Sequence, residues 1–383
     1  GRATLRSSIR SNLPLVAGSS GSRIGLVGHI RHCSRRLRDH TGGTAYPAQR
    51  EWPPLGAACY PRSRGHDRQK CCFPAHGMGL RRDSRGTDLT MDTPWEAGRL
   101  DTPNGQQRLL FGQMHEDVEI ERAAFGGKGR LFCIASAGNT ALELAEQHEV
   151  VACDINPVQL AYAERRATGA PRMIGDAERA MNLARRFMPL IGWRQEIVRA
   201  FLECSDISEQ MIFWREHLDT LRFRAGLEVL LSRTLLRAVY APQFVSFLSP
   251  RFGTILRKRL ERGFRTHANA ANPYARALLL GEPGEDRPPV VRKLQFVLGD
   301  AAAFLESCPA RSFDGFALSN ILDGTKPSYR SRLAHAVRRA ATDDAVLVLR
   351  SFAEPSAELR SNHAQRDRAM LWGIVDIRPA QSF

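Results

Sequence analysis

Asp154 ends an apolar run, Val150-Val151-Ala152-Cys153, and follows the small-residue loop Ser136-Ala137-Gly138-Asn139-Thr140. A carboxylate at a strand end accepts hydrogen bonds from vicinal hydroxyls such as those of a ribose, and a small-residue loop lets backbone approach a ligand closely. Together they are the minimum of a nucleoside site. The fingerprint G-x-G-x-x-G is absent, which argues against a dinucleotide. The bland alternative is a βαβ unit of any α/β protein.

Further polar residues fall where later strands would end. Gly299-Asp300-Ala301 follows the run Leu294–Leu298, and Ser319, Asn320 and Asp323 follow Phe313-Asp314-Gly315-Phe316-Ala317. Asp300 and Ala301 suit contact with a base such as adenine, and Asp300 reads equally as a helix N-cap. Arg350 directly follows the strand-like Ala345–Leu349 and reads either as an anion partner or as a surface cation. Gln113, His115, Glu116 and Asp117 crowd just before the first strand. They read as a segment folded over the pocket that presents a base, or as early-turn acids facing a helix dipole.

These residues require an ordered set of elements. Arg130–Pro157 reads as strand, tight loop, helix and strand, and Asn156 and Pro157 start the next helix. The fold class predicted is α/β, a doubly wound, mostly parallel sheet, with the final Met370–Ile377 run pairing at its edge. Between the second and third strands more than a hundred residues have helical period, at 176–203, 206–240 and 251–265. The domains expected are therefore 91–169 with 291–383 as the α/β part and 170–290 as a helical insertion capping the sheet's carboxyl edge. Within it, 251–265 places Phe252, Ile255, Leu256, Leu260 and Phe264 on one face and cations around the others. That pattern fits peripheral membrane contact or an ordinary domain helix.

The 383 residues carry a formal net charge of +15, but residues 1–90 hold 16 Arg or Lys against 5 Asp or Glu, leaving only +4 for the remainder. Residues 1–90 have no sustained period and are expected to be a disordered, Arg-rich, non-native extension that can be deleted without loss of folding or activity. A non-catalytic nucleic-acid-binding protein is a third reading, resting on that arm. The remainder has neither a concentrated basic field nor an RNA-binding signature, so nucleic acid is disfavoured as a partner. The eight cysteines show no zinc-ligand spacing, so the expectations are a reducing, cytoplasmic location and no metal. No apolar run approaches the about 18 residues of a membrane span, so any contact with the inner face of a membrane would be peripheral.

The order of these elements resembles class I S-adenosylmethionine-binding domains. More narrowly, FGQMHEDVEIE (111–121), FCIASAGNTALEL (132–144), VVACDINPVQLAYAE (150–164), FWREHLDTLRF (213–223) and FDGFALSNILD (313–323) resemble the betaine-lipid synthase family over about residues 108–377. That resemblance implies S-adenosylmethionine as cofactor and transfer of its 3-amino-3-carboxypropyl group to a lipid or other hydroxyl acceptor, diacylglycerol in the family. It implies that Ser136, Ala137, Gly138, Asn139 and Thr140 border the methionine moiety, Asp154 binds the ribose, and Ile155 and Asn156 lie beside the adenosine. Asp300 and Ala301 would flank the adenine, Ser319, Asn320 and Asp323 would line the reaction centre, and Arg350 would hold the cofactor carboxylate. An alcohol is a poor nucleophile at neutral pH, so a general base is expected, His115 or Asp117 first and His217 second. The alternative activity is that of an ordinary S-adenosylmethionine-dependent methyltransferase.

Overall fold

Two apolar strands begin the sheet. β1 (Arg130–Ile134) and β2 (Glu149–Asp154) are buried along their middles, with alternate residues going to opposite faces. In the computed structural model the described residues are 107–383 except 128, 241, 285–292, 357, 358 and 360, and all lie in one compact unit. The expectations for residues 1–90 lie outside them. The helix α1 (Glu119–Phe125) precedes β1, α2 (Asn139–Leu144) joins it to β2, and α3 (Pro157–Ala167) follows. The chain is then helical through α4 (Asp176–Phe187), α5 (Gln195–Leu202), α6 (Ile207–Phe213), α7 (Leu221–Leu230), α8 (Arg233–Leu236), α9 (Pro242–Phe247), α10 (Phe252–Thr266) and α11 (Pro273–Leu280). It completes the sheet with β3 (Lys293–Leu298), α12 (Ala301–Ser307), β4 (Phe313–Ala317), α13 (Pro327–Ala340), β5 (Ala341–Ser351) and β6 (Ile374–Pro379).

The strand order is β3-β2-β1-β4-β5-β6, parallel except for the antiparallel β6 on β5. This α/β architecture is compatible with a Rossmann-like fold. The order reverses between β1 and β4, so the crevice beyond their carboxyl ends is where ligands bind in open sheets of this kind. Phe132, Val151 and Cys153 pack under α12 and α13, whereas Leu131, Cys133, Val150 and Ala152 pack under α1, α2 and α3. Helices on both faces explain why these strands read as continuous apolar runs. Burial pushes the Cys153 thiol up to about 12 and that of Cys133 further, so both act as small apolar groups.

The helical stretch has its own aromatic centre, in which Trp193 stacks on Phe223 at 4.4 Å and Trp214 meets Phe264 at 4.9 Å. α10 is tied inward on its apolar and on much of its basic surface. Phe252, Leu260 and Phe264 are buried, the buried Arg259 donates to the carbonyls of Leu371 (2.8 Å) and Phe352 (2.9 Å), and Arg262 donates to that of Trp372 at 2.7 Å. Arg257 pairs with Asp219, and Gly263 lies so close to Met370 that a Cβ there would collide with it. Of the two readings for 251–265, membrane contact and domain helix, the second fits: its apolar face is part of the core. Among the described residues no helix is long and apolar enough to cross a membrane.

Candidate functional site

The loop after β1 takes its shape from two residues with positive φ, Ser136 (φ 44) and Gly138 (φ 86). A Cβ on Gly138 would stand 3.1 Å from that of Ala163, so the left-handed turn and the packing on α3 both select glycine. The turn aims the Ser136 amide at Asp154 Oδ2 (2.9 Å), while the Asn156 amide reaches Asp154 Oδ1 (2.8 Å). Those two bonds leave acceptor capacity on the carboxylate, which the Ile155 amide also approaches, and the residue is only half-buried. Burial pushes its proton affinity up to about 6, against the pull of those amides. Ile155 is half-buried beside it. Asn156 is a different case. Its side chain caps α3 through the amides of Val158 (3.0 Å) and Gln159 (3.4 Å) and donates to the Arg108 carbonyl at 2.9 Å, so it is a fastener with no free face.

That fastener begins a strap. Residues 108–117 run against the loop and α3, held chiefly by three side chains. Gln159 accepts from the amides of Leu110 (3.1 Å) and Phe111 (3.2 Å) and donates to the Phe111 carbonyl (2.8 Å). Tyr162 donates to the Gly112 carbonyl at 2.7 Å, and Glu178 on α4 accepts from the Gly112 amide at 2.8 Å. From the loop itself, Asn139 accepts from the Met114 amide at 2.9 Å. The segment therefore lies against the loop, and Gln159, Tyr162 and Glu178 set its course.

Under the strap, Glu116 meets the strand ends. Its carboxylate accepts from the Ser319 hydroxyl and from Thr140 Oγ1 at 3.3 Å, and Arg350 Nη1 stands 3.7 Å away. Ser319 itself has φ 51, a left-handed conformation seldom taken by a residue with a side chain. The fully buried Arg350 pairs with both oxygens of Glu121, with Asp367 at 2.9 Å and with the Asp117 carbonyl at 3.1 Å. Its donors are spent inside the protein, so it is neither a cofactor-carboxylate partner nor a surface cation. Burial raises the proton affinities of Glu116, Glu121 and Asp367, the last to about 6, and Arg350 counters each. One guanidinium thus faces three buried carboxylates, and burial favours the neutral form of each against its pull.

The other expected residues separate by partner. Asp117 is gripped by Arg368 through Nε at 2.6 Å and Nη2 at 2.7 Å, and despite its burial this pairing holds its carboxyl below the usual range. A carboxylate so held is a poor base. Burial and the charge of Arg185 lower His115 to about 4, so its imidazole is neutral at physiological pH, 3.3 Å from the Gln113 amide nitrogen. His217 lies in a π-helical turn, Trp214–Leu218, against the Phe213 ring at 4.9 Å and Glu216 at 3.9 Å, among the aromatics of the helical stretch. Asp300 caps α12 through the Ala303 amide at 2.8 Å and accepts from the Tyr329 hydroxyl at 2.6 Å; the Ala301 side chain is buried in the core. Asn320 donates to Asp323 at 3.3 Å, and Asp323 accepts from the Phe352 amide at 2.9 Å and the Ser351 hydroxyl at 2.5 Å, which joins the ends of β4 and β5.

No family model, curated protein or solved structure matches the chain. Among the described residues no three His, Cys, Asp or Glu side chains could together hold a metal ion. The arrangement is thus an amide-pinned carboxylate at the end of β2 and a carboxylate–hydroxyl pair, Glu116 with Ser319, at the junction of β1 and β4. Sequence reasoning singled out neither Glu116, Glu121 nor Asp367 as site residues. For Glu116 a signal existed, since it lies between His115 and Asp117 in a dense polar cluster; for the other two none did.

Proposed function

We propose that the chain binds S-adenosylmethionine at the carboxyl ends of β1 and β2 and transfers the 3-amino-3-carboxypropyl group to a hydroxyl acceptor, diacylglycerol or a similar lipid. In this reading the sheet is a class I methyltransferase-like domain, and the helices between β2 and β3 form a cap that selects the acceptor. The observation that carries the reading is the Asp154 carboxylate, pinned by the Ser136 and Asn156 amides with acceptor capacity left over. Two vicinal ribose hydroxyls fit that donor requirement. The loop 136–140 supplies backbone beside it, shaped by the left-handed Ser136 and Gly138. Ser319, Asn320 and Asp323 stand at the next strand end toward the acceptor.

When bound, the cofactor supplies a sulfonium whose γ carbon accepts a nucleophile while methylthioadenosine leaves. The protein's task is to place an acceptor oxygen in line with that carbon and to remove its proton. Glu116 is the best acceptor of that proton, directly or through the Ser319 hydroxyl, because burial raises its proton affinity above that of an ordinary carboxylate. The proton passes from the acceptor hydroxyl to Glu116 as the new C–O bond forms.

Incubation of the protein with S-adenosylmethionine and a lipid extract, followed by product analysis, tests the reading. Methylthioadenosine and an aminocarboxypropyl ether lipid are expected. S-adenosylhomocysteine in their place would make the chain a methyltransferase, and failure of the cofactor to bind would remove both activities.

A further inference from the structure

Of the thirteen large apolar side chains that stand exposed among the described residues, eleven lie between Met173 and Leu235. They follow helical stripes. On α4, Leu183 and Phe187 are one turn apart on the outer side; Leu190, 73% exposed, follows in the 3-10 turn Met188–Ile191. On α7, Leu221, 80% exposed, and Val229 are two turns apart with the small Ala225 between them, and Leu235 continues on α8. The turn lies against α7: a Cβ on Gly226 would stand 2.9 Å from Ile191 Cγ2. The inward residues of these elements, Ile191, Phe223 and Leu227, belong to the aromatic core, so the exposed stripes form the outer side of the same packed unit.

The exposed charges on these helices are cationic, although Arg179 is paired with Asp176 and Arg224 with Asp219. Every exposed charged side chain on α4, α7 and α8 is an arginine, with Arg186 and Arg222 bordering the stripes and Arg237 just beyond α8. The acids of these helices turn inward or are neutralised: Asp176 pairs with Arg179 at 2.8 Å, Glu178 accepts from the Gly112 and Gly175 amides at 2.8 Å, and Glu228 accepts from the Thr254 amide at 2.6 Å. An apolar centre rimmed by arginine fits a surface with acyl chains below anionic headgroups. A second copy docked about a two-fold axis would bring identical arginine rims together, which disfavours self-association. Nucleic acid would use the arginines and leave the apolar stripes in water.

We propose that the outer face of α4, the turn 188–191, α7 and α8 seats the protein on an anionic bilayer, in place of 251–265. This goes beyond the transfer reaction and does not depend on it. α4 connects the two, since its inner side holds the strap through Glu178 while its outer side carries Leu183 and Phe187.

The test uses the full chain with Leu190→Trp and vesicles of phosphatidylcholine alone or mixed with phosphatidylglycerol. On the mixed vesicles the added tryptophan emission is expected to shift to the blue and to be quenched by brominated acyl chains, a signal that a basic arm held at the headgroups cannot give. Phe187→Ser, Leu190→Ser and Leu221→Ser together are expected to lower partitioning about tenfold or more. Lys258→Glu with Arg265→Glu on α10 is expected to change the partition by less than about twofold. All altered residues are exposed, so circular dichroism and melting should match the parent. No blue shift on mixed vesicles, an unchanged partition for the triple variant, or a dimer by light scattering that the triple variant dissociates would overturn the proposal. Cofactor calorimetry on the same variants separates this outcome from failure of the transferase reading.

Discussion

Asp154 combines a stability cost with a binding role. Its proton affinity in the fold, about 6, exceeds that of an ordinary aspartate. The stabilising contribution of the protonated form is therefore complete below about pH 4 and is lost as pH rises through about 6. Relative to Asp154→Asn, whose side chain does not titrate, the parent should accordingly lose about 1–3 kcal/mol of stability as pH rises from about 4 to about 8, whatever the constant offset from placing an NH2 against one of the two amide donors. The same variant should bind S-adenosylmethionine at least about tenfold more weakly, because the amide offers one acceptor where the carboxylate offers two. Calorimetry across pH 5–8 should find parent affinity falling below about 6. An affinity equal to the parent's in folded Asp154→Asn would remove the central assignment.

For Glu116→Gln the expectation is different. Cofactor binding should hold to within about twofold, while transfer falls by about two to four orders of magnitude, the usual worth of a positioned base. Single-turnover product formation measures the second and calorimetry the first. Unchanged turnover in a variant that binds cofactor would send the search for the base to the neutral imidazole of His115.

At the scale of elements, the ends of β4 and β5 and the start of α1 meet at Arg350. Replacing it with Leu leaves Glu121, Asp367 and Glu116 buried with no cation, a loss of about 3–5 kcal/mol, which urea unfolding will measure. The result would separate a network needed for folding from one needed for ligand, since Arg350 has no free donor to offer a cofactor.

Sequence resolved the elements well wherever burial imposed a period. The strand, loop, helix and strand of 130–154 appear in that order, with the helix ending at Leu144. β6 is the antiparallel edge strand expected near Met370–Ile377, although it begins only at Ile374. Partnership was not legible. Asp117 and Arg350 carry the right chemistry for base and anion site, but contacts more than two hundred residues away in the chain decide their roles. The same limit explains 251–265, whose amphipathic pattern is real but whose apolar face already has a partner in the chain's own aromatic core.

For the molecule as a whole, the sheet and the helical stretch meet at the segment between β5 and β6. Arg259 and Arg262 donate to carbonyls there, and Asn272 donates to the Arg368 carbonyl at 2.9 Å. Removing both arginines strands buried carbonyls at a cost of about 1–3 kcal/mol each. Arg259→Ala with Arg262→Ala should therefore split thermal unfolding, monitored by calorimetry and by tryptophan emission, into two transitions where the parent shows one. A single transition in the variant would mean that the aromatic contacts alone couple the two regions.

The strand order has a consequence for how the chain is made. β1 pairs with β2 residues only 19 further along the chain, but its other neighbour is β4, and the Arg130 amide bonds to Asp314 across 184 residues. At about 5–20 residues per second, a ribosome needs about 10–40 seconds to deliver that partner. For that interval Leu131-Phe132-Cys133-Ile134 would be an apolar strand with an open edge, able to pair with any similar edge nearby. Yield in cells should thus depend on how quickly residues 155–312 emerge and on what shields β1 meanwhile, a vulnerability of the nascent chain that the finished sheet hides.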